Sequence, residues 1–260
     1  MIRYRIIMLA YIASPEIRLM TRAAIERVLQ STGEDAGLTV GINGGESFPV
    51  PANQRLTMAY WAERKGLGHA YNDLALICPE PFLVFLHNDC FVPDDVIWLE
   101  KLAAVAAAYG FAFPAVKEDR EESLLRGITP TYDKCPPSCC YVVRRDVFGR
   151  LGGFDRIFEG CHFEDLDLFM RGQQLGCTMA RVKDVEVFHR RGMTRGAMSE
   201  EANAAFRRNA QTYQARWGGI DRLKVPGTVD VGLPELLGGE HGGLGNGADS
   251  APGSNGKTLH

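Results

Sequence analysis

The chain has 260 residues, 45% hydrophobic and 23% charged, with a formal net charge of -3. These values exclude a disordered chain, a collagen-like chain, a coiled coil and a multi-span membrane protein. The near-neutral charge gives no general reason to expect a nucleic-acid binder.

Tyr4 to Tyr11 reads as a strand of the kind covered on both faces, its apolar run beginning at Ile6 and continuing to Ala13. Charge returns at once with Glu16 and Arg18, so the run reads as a strand rather than a secretion signal. Ser14 supplies an N-cap and Pro15 a first helical position. Ile17, Met20, Ala24 and Val28 follow at helical spacing. Leu38 to Ile42 predicts a second strand, ending in Asn43-Gly44-Gly45. A strand-helix-strand unit of this length predicts a parallel pair with a right-handed crossover.

Gln54 to Arg64 reads as helical, Gly66-Leu67-Gly68 as a break, and Ala70 to Leu76 as a further helix. Phe82 to Leu86 is another apolar strand, and it stops abruptly at His87-Asn88-Asp89-Cys90. Pro93-Asp94-Asp95 predicts a helix start, with the two acids serving as cap and dipole residues, and the helix runs to about Ala108. Gly110 to Val116 predicts a strand, and Lys117 to Lys134 a mobile surface loop. Cys140 to Val143 is strand-like, and 148–155 is a turn-rich hinge. Phe163, Leu166 and Met170 keep helical spacing, Met179 to Phe188 has strand character, and Glu200 to Trp217 is the last helix.

Alternating strands and helices indicate an α/β domain with a mostly parallel central sheet flanked by helices, over residues 1–225. Residues 226–260 hold 10 of the 29 glycines and no aromatic residue. Such a segment buries too little apolar surface to offset its ordering entropy, which predicts a disordered C-terminal tail. Leu102 to Val116 is too short for a membrane span and is interrupted by Pro114, so the expectation is a soluble chain, with peripheral membrane contact left open. Seven cysteines, an odd number without a secretory signal, predict free thiols in a reducing, cytoplasmic setting. Cys135, Cys139 and Cys140 lack the second ligand pair of a structural zinc site, and read as a loop leading to buried strand cysteines.

Ligands of open α/β sheets bind outside the carboxyl ends of the strands. Asn43-Gly44-Gly45, His87-Asn88-Asp89 and His189-Arg190-Arg191 fall at such ends. Glu164-Asp165-Leu166-Asp167 opens a helix after a Gly-rich turn, where acids also serve the helix dipole alone. Gly66-Leu67-Gly68 lacks the third glycine of a dinucleotide fingerprint, since Tyr71 holds that place.

Taken in order, these clusters resemble the GT-A glycosyltransferases, closely the large inverting family 2, from Arg3 to about Arg195. The resemblance rests on the first two strands with Asn43-Gly44, on Phe82 through Asp89 as the strand and metal motif, and on Val142 through Phe148. It continues through Leu151-Gly152-Gly153-Phe154-Asp155, Phe163-Glu164-Asp165-Leu166-Asp167-Leu168 and Val185-Glu186-Val187-Phe188-His189.

The resemblance implies a single GT-A domain that moves a sugar from a nucleotide-diphosphate donor to a hydroxyl acceptor with inversion. In it Asp165 is the general base, Glu164 and Asp167 orient the helix or the acceptor, and Asp89 and His189 bind a divalent Mn²⁺ or Mg²⁺. Tyr11, Asn43, Asn72, His87, Asn88, Arg190 and Arg191 would then line the donor. The acceptor classes are a glycan, a protein side chain, a lipid-linked sugar or a modified nucleobase. The chain departs from the family at His87 in the first acidic place of the metal motif and at Ile42 where a base-reading Asp is common. It departs again at Ala10-Tyr11-Ile12 after strand one and at Tyr71 before Asn72. All four touch the nucleotide pocket. They motivate the alternative of a non-catalytic nucleotide- or sugar-binding or assembly protein with the same fold. A sugar nucleotidyltransferase is a weaker alternative, because Ala13-Ser14-Pro15 replaces its Gly-rich, Arg-containing loop.

Overall fold

The computed structural model describes residues 3–50, 52–118, 136–190, 200–218 and 228–231. In chain order these form β1 (Tyr4–Ile12), α1 (Pro15–Gln30), β2 (Ala36–Gly45), β3 (Leu56–Trp61), α2 (Leu67–Leu76), β4 (Phe82–His87) and β5 (Cys90–Phe91). There follow α3 (Trp98–Tyr109), β6 (Gly110–Glu118), β7 (Cys140–Arg144), α4 (Arg145–Arg150), α5 (Glu164–Gln174), β8 (Thr178–His189), α6 (Glu200–Trp217) and β9 (Thr228–Val231). The strands form one sheet in the order β3-β2-β1-β4-β7-β6-β8-β5, with β9 on β8. The pairs of β1 with β2 and β4, of β2 with β3, and of β8 with β6 and β9 are parallel; those of β7 with β4 and β6, and of β5 with β8, are antiparallel. This is the mostly parallel α/β sheet expected from the sequence.

β1 shows why the sheet is covered on both faces. Ile6, Met8, Ala10 and Ile12 join one core with Met20, Ala24 and Val28 of α1 and Trp98 and Leu102 of α3. Ile7 and Leu9 join a second core with Tyr71 and Leu74 of α2 and Phe169 of α5. Alternate side chains of one strand therefore feed opposite layers. α1 starts as expected: Ser14 Oγ accepts from Ile17 N at 3.3 Å, and Pro15 opens the helix.

The expected helix over Gln54 to Arg64 is a strand instead. Leu56 and Met58 pack on the first core and Ala59 and Trp61 on the second, which is the period of two of a strand. β3 lies at the edge of the sheet, so Thr57 and Tyr60 stay exposed and the apolar signal is diluted. The third helix also starts later than expected. Asp95 Oδ1 accepts from Ile97 N at 3.1 Å and Asp95 O accepts from Trp98 N at 3.1 Å, a turn that delays the helix to Trp98.

Within the segment read as tail, residues 228–231 pair with Met179–Val182 of β8; the rest of that segment lies outside the described residues, as do 119–134 of the expected loop. Cys78, Cys90, Cys139, Cys140, Cys161 and Cys177 are free thiols, and the first four are buried; Cys135 lies outside the described residues. Among the described residues, no helix is long and apolar enough to cross a membrane.

Candidate active site

The end of β4 and the end of β8 meet at one point. β8 is bulged between Val182 and Glu186 against β6, which re-aims its last residues. The two-residue β5 then pairs with them, Cys90 opposite His189. Arg190 N donates to Asp89 O at 2.8 Å and closes the junction.

Three side chains converge there. His189 Nε2 lies 3.1 Å from Asp89 Oδ1, and His87 Nδ1 lies 4.0 Å from the same oxygen. One ligand atom from each of His87, Asp89 and His189 lies within 4.8 Å of the others. Asp89 and His189 are both 5% exposed. Burial opposes charge on Asp89, but the bond from His189 and the charge of both imidazoles hold its carboxyl below the usual range. Burial likewise opposes charge on His189; the neighbouring Cys139 and Asp89 outweigh it and lift its pKa to about 10. Two imidazoles and a carboxylate are a donor set that fits a divalent first-row metal such as Mn²⁺ better than Mg²⁺, which prefers oxygen ligands.

The second cluster opens α5. Glu164, Asp165 and Asp167 sit in its first turn, where the helix dipole favours negative charge. They divide into different roles. Asp167 is fully buried and accepts from Arg171 Nε at 2.7 Å, Arg216 at 2.7 Å and Trp217 Nε1 at 3.0 Å. It ties α5 to α6. Asp165 is half-buried, and its Oδ1 accepts from Leu166 N at 2.8 Å. Glu164 is 4% exposed; burial, then the charge of Asp165, push its carboxyl well above the usual range. Its Oε2 and the Tyr141 hydroxyl are buried with no hydrogen-bond partner among the described residues.

Tyr71 joins the two clusters. Its hydroxyl is 3.5 Å from Leu86 O, and its pKa is raised by burial first, then by the charges of Glu164, Asp89 and Asp165. Asp89 and the paired acids thus all oppose ionisation of one buried phenol. α2, which carries it, packs tightly on α5: a Cβ on Gly68 would sit 3.0 Å from Phe154 Cβ and 3.5 Å from Glu164 Cβ.

The three asparagines expected at the donor are engaged in main-chain and side-chain clamps. Asn43 Nδ2 donates to Lys65 O at 2.9 Å and its Oδ1 accepts from Lys65 N at 2.8 Å. Asn72 grips Phe154 the same way, at 2.8 and 2.9 Å. Asn88 Nδ2 donates to Thr21 Oγ1 at 2.8 Å. The clamp on Phe154 requires Gly153, which has φ +74, and a Cβ there would collide with Asn72 Oδ1. The Tyr11 ring lies under the guanidinium of Arg64, 4.4 Å from the ring centroid. Arg190 is exposed beside Asp89, and Arg191 lies outside the described residues.

Sequence reasoning missed Arg64 and did not assign Cys139 to this site. The isolated basic pair Arg64-Lys65 gives no signal for Arg64. Cys139 directly precedes β7, beside the run that pairs with β4, and that adjacency was its only clue. A separate cleft of about 460 Å³, lined by Val50, Asn53, Leu56 and Met58, lies at the opposite end of β2 and β3 and has no titratable lining.

No family model matches the sequence, and no curated protein matches it. Solved structures do match. GalNAc-T7, solved with UDP, GalNAc and Mn²⁺, aligns over 83% of this chain and 50% of its own, at 12% identity and a TM-score of 0.58. The mannosyltransferase PcManGT of Pyrobaculum calidifontis, in complex with GDP-Man and Mn²⁺, aligns over 84% and 65%, at 14% identity and a TM-score of 0.55. S. aureus TarS 1–349, in complex with UDP-GlcNAc, aligns over 82% and 67%, at 12% identity and a TM-score of 0.56. The chain has the GT-A fold. It spans between half and two-thirds of the length of these glycosyltransferases. At such identities the GT-A likeness is one of fold, and the chemistry has to be argued from the site itself.

Proposed function

We propose that this GT-A chain is a glycosyltransferase that moves a sugar from a nucleoside-diphosphate donor to a hydroxyl acceptor with inversion. The observation that carries the reading is the convergence of His87, Asp89 and His189, whose ligand atoms lie within 4.8 Å of one another where β4 and β8 end, with Glu164 and Asp165 opening α5. All of these lie at strand carboxyl ends or at a helix N-terminus, where an α/β sheet binds its ligands. Two structural neighbours were solved with both a nucleotide or nucleotide sugar and Mn²⁺, which supports a metal-assisted reading.

His87, Asp89 and His189 would hold the divalent ion, and Mn²⁺ suits them better than Mg²⁺. When bound, the ion supplies positive charge against the departing diphosphate. Arg190, and Arg191 after it, add cations for the same phosphates. Asp165 takes the proton of the acceptor hydroxyl as that oxygen attacks the sugar carbon opposite the leaving group. Its partial exposure leaves the carboxylate open to an acceptor, whereas Glu164 is buried, and burial pushes its carboxyl well above the usual range. Asn43 shapes the donor side by clamping the turn before α2, and Asn72 of α2 by clamping the turn at Phe154. Tyr11 and Arg64 form an aromatic-cationic shelf for the nucleotide.

The test is a thermal-shift panel of UDP- and GDP-sugars with and without Mn²⁺, since a ligand bound to the folded state raises its stability by mass action. Stabilisation by one donor that requires Mn²⁺ is expected. A chain indifferent to every donor and to Mn²⁺ would sink the proposal.

A further inference from the structure

We propose that Asn209 of α6 is a positioning residue that fixes the turn carrying Glu164 and Asp165; its effect on rate rests on the function proposed above. Asn209 is 2% exposed. Its Nδ2 donates to three main-chain carbonyls, Glu159 O at 2.7 Å, His162 O at 3.0 Å and Cys161 O at 3.2 Å. An amide nitrogen has two hydrogens, so the three acceptors share them in a three-centre arrangement. The remaining carbonyl, Gly160 O, accepts from Leu67 N at 2.5 Å. Every carbonyl from 159 to 162 is thus bound, three of them by one side chain from another helix.

The held segment adopts a conformation that it would not keep unaided. His162 and Phe163 have φ of 80° and 73°, in the left-handed region that bulky residues rarely enter. Such residues persist where the surroundings over-determine them, and they cluster at functional sites. α6 supplies those surroundings. The Phe206 ring lies 5.2 Å from that of His162 and 5.4 Å from that of Phe163, and the Tyr213 ring lies 5.4 Å from Phe163. Beyond the two acids, Arg216 and Trp217 bind Asp167. α6 therefore grips the chain on both sides of Glu164 and Asp165. Asn209 holds the side on which the left-handed turn sets the direction in which α5 begins. Loss of its amide would let the turn relax and move the Asp165 carboxylate relative to the acceptor.

The test compares the full chain with Asn209→Asp, which keeps the shape but turns an accepting oxygen against three carbonyls, and with Asn209→Ala. Three readings are taken: amide hydrogen exchange, affinity for UDP and GDP with Mn²⁺, and kcat for nucleoside diphosphate release. Both variants are expected to lose protection over 159–166 while β1, β4 and β7 stay protected. Nucleotide affinity is expected to hold while kcat falls about 100-fold, the scale of a ~1 Å displacement of a reacting group. Unchanged kcat in both variants overturns the proposal. So does a loss of protection spread over the whole sheet with nucleotide affinity falling in parallel, which is a general stability role. If the wild-type chain releases no diphosphate from any donor, the functional reading fails separately. Exchange then decides alone: local loss at 159–166 supports the hold on the turn, and unchanged protection there overturns it.

Discussion

His189 Nε2 lies 3.1 Å from Asp89 Oδ1, although the two residues stand 100 positions apart in the chain. The β8 bulge and the short β5 bring them together, and burial makes the pair selective. An isolated buried imidazole would lose its proton, and an isolated buried carboxylate would gain one; together each keeps its charge. A divalent cation can replace the imidazolium proton as the partner of the carboxylate.

Asp89→Ala removes the one carboxylate of the triad. Mn²⁺ affinity, read by electron paramagnetic resonance of the free ion, is expected to fall by at least the ~10–100-fold seen when a supporting partner of a metal ligand is lost. Unchanged Mn²⁺ affinity would remove Asp89 from the metal site.

Glu164 yields a pH prediction. Its carboxyl is raised well above its ordinary value of 4.5 in the folded chain. The folded state therefore keeps a proton that the unfolded chain releases, so the stabilising contribution is complete below about 4.5 and is lost as pH rises toward the folded value. Glu164→Gln mimics the protonated form. In urea titrations it is expected to remove a slope of about 1.4 kcal/mol per pH unit above that point and to be the more stable chain at neutral pH. Equal slopes in the two proteins would show that Glu164 is ionised in the fold.

Asp167→Asn tests the link from α5 to α6. It leaves Arg171 and Arg216 facing a neutral amide in a buried setting. We expect a loss of roughly 2–3 kcal/mol, below the ~3–5 kcal/mol for a fully buried pair because Arg216 is a third exposed. Denaturant unfolding that shows no loss would make this network a surface feature.

The clamp made by Asn72 gives a fourth expectation. Asn72→Ala leaves both the N–H and the carbonyl of Phe154 without their partner, at a cost of about 2–4 kcal/mol for two buried groups. Donor binding in this variant should weaken only as far as the fold does. A loss of donor affinity at full stability would make Asn72 a direct donor contact.

What could be read from the sequence follows physical lines. β1, β2 and β4 are buried on both faces, so each was visible as an apolar run. α1 carried a Ser-Pro start, and α6 an amphipathic period that ends at Trp217. β3 was misread because an edge strand mixes half-buried and exposed residues, and six residues give too little periodicity to separate 2 from 3.6. At the site, Asp89, His189, Glu164 and Asp165 were marked by motif and by position at element ends. The asparagines were legible as polar residues but not as clamps, because Asn72 meets Phe154 82 positions away. Asn209 had no local signal at all: its partners lie 47 to 50 positions upstream, in a turn that only tertiary packing creates.

The most direct measurement is nucleoside diphosphate release from a panel of UDP- and GDP-sugars with Mn²⁺, comparing wild type with Asp165→Asn. The account predicts release from at least one donor in the wild type and a fall of about 100- to 10,000-fold in Asp165→Asn, the usual share of a general base, with Mn²⁺-dependent nucleotide binding intact. Release at the wild-type rate by Asp165→Asn, or none by the wild type with any donor and acceptor offered, would contradict it.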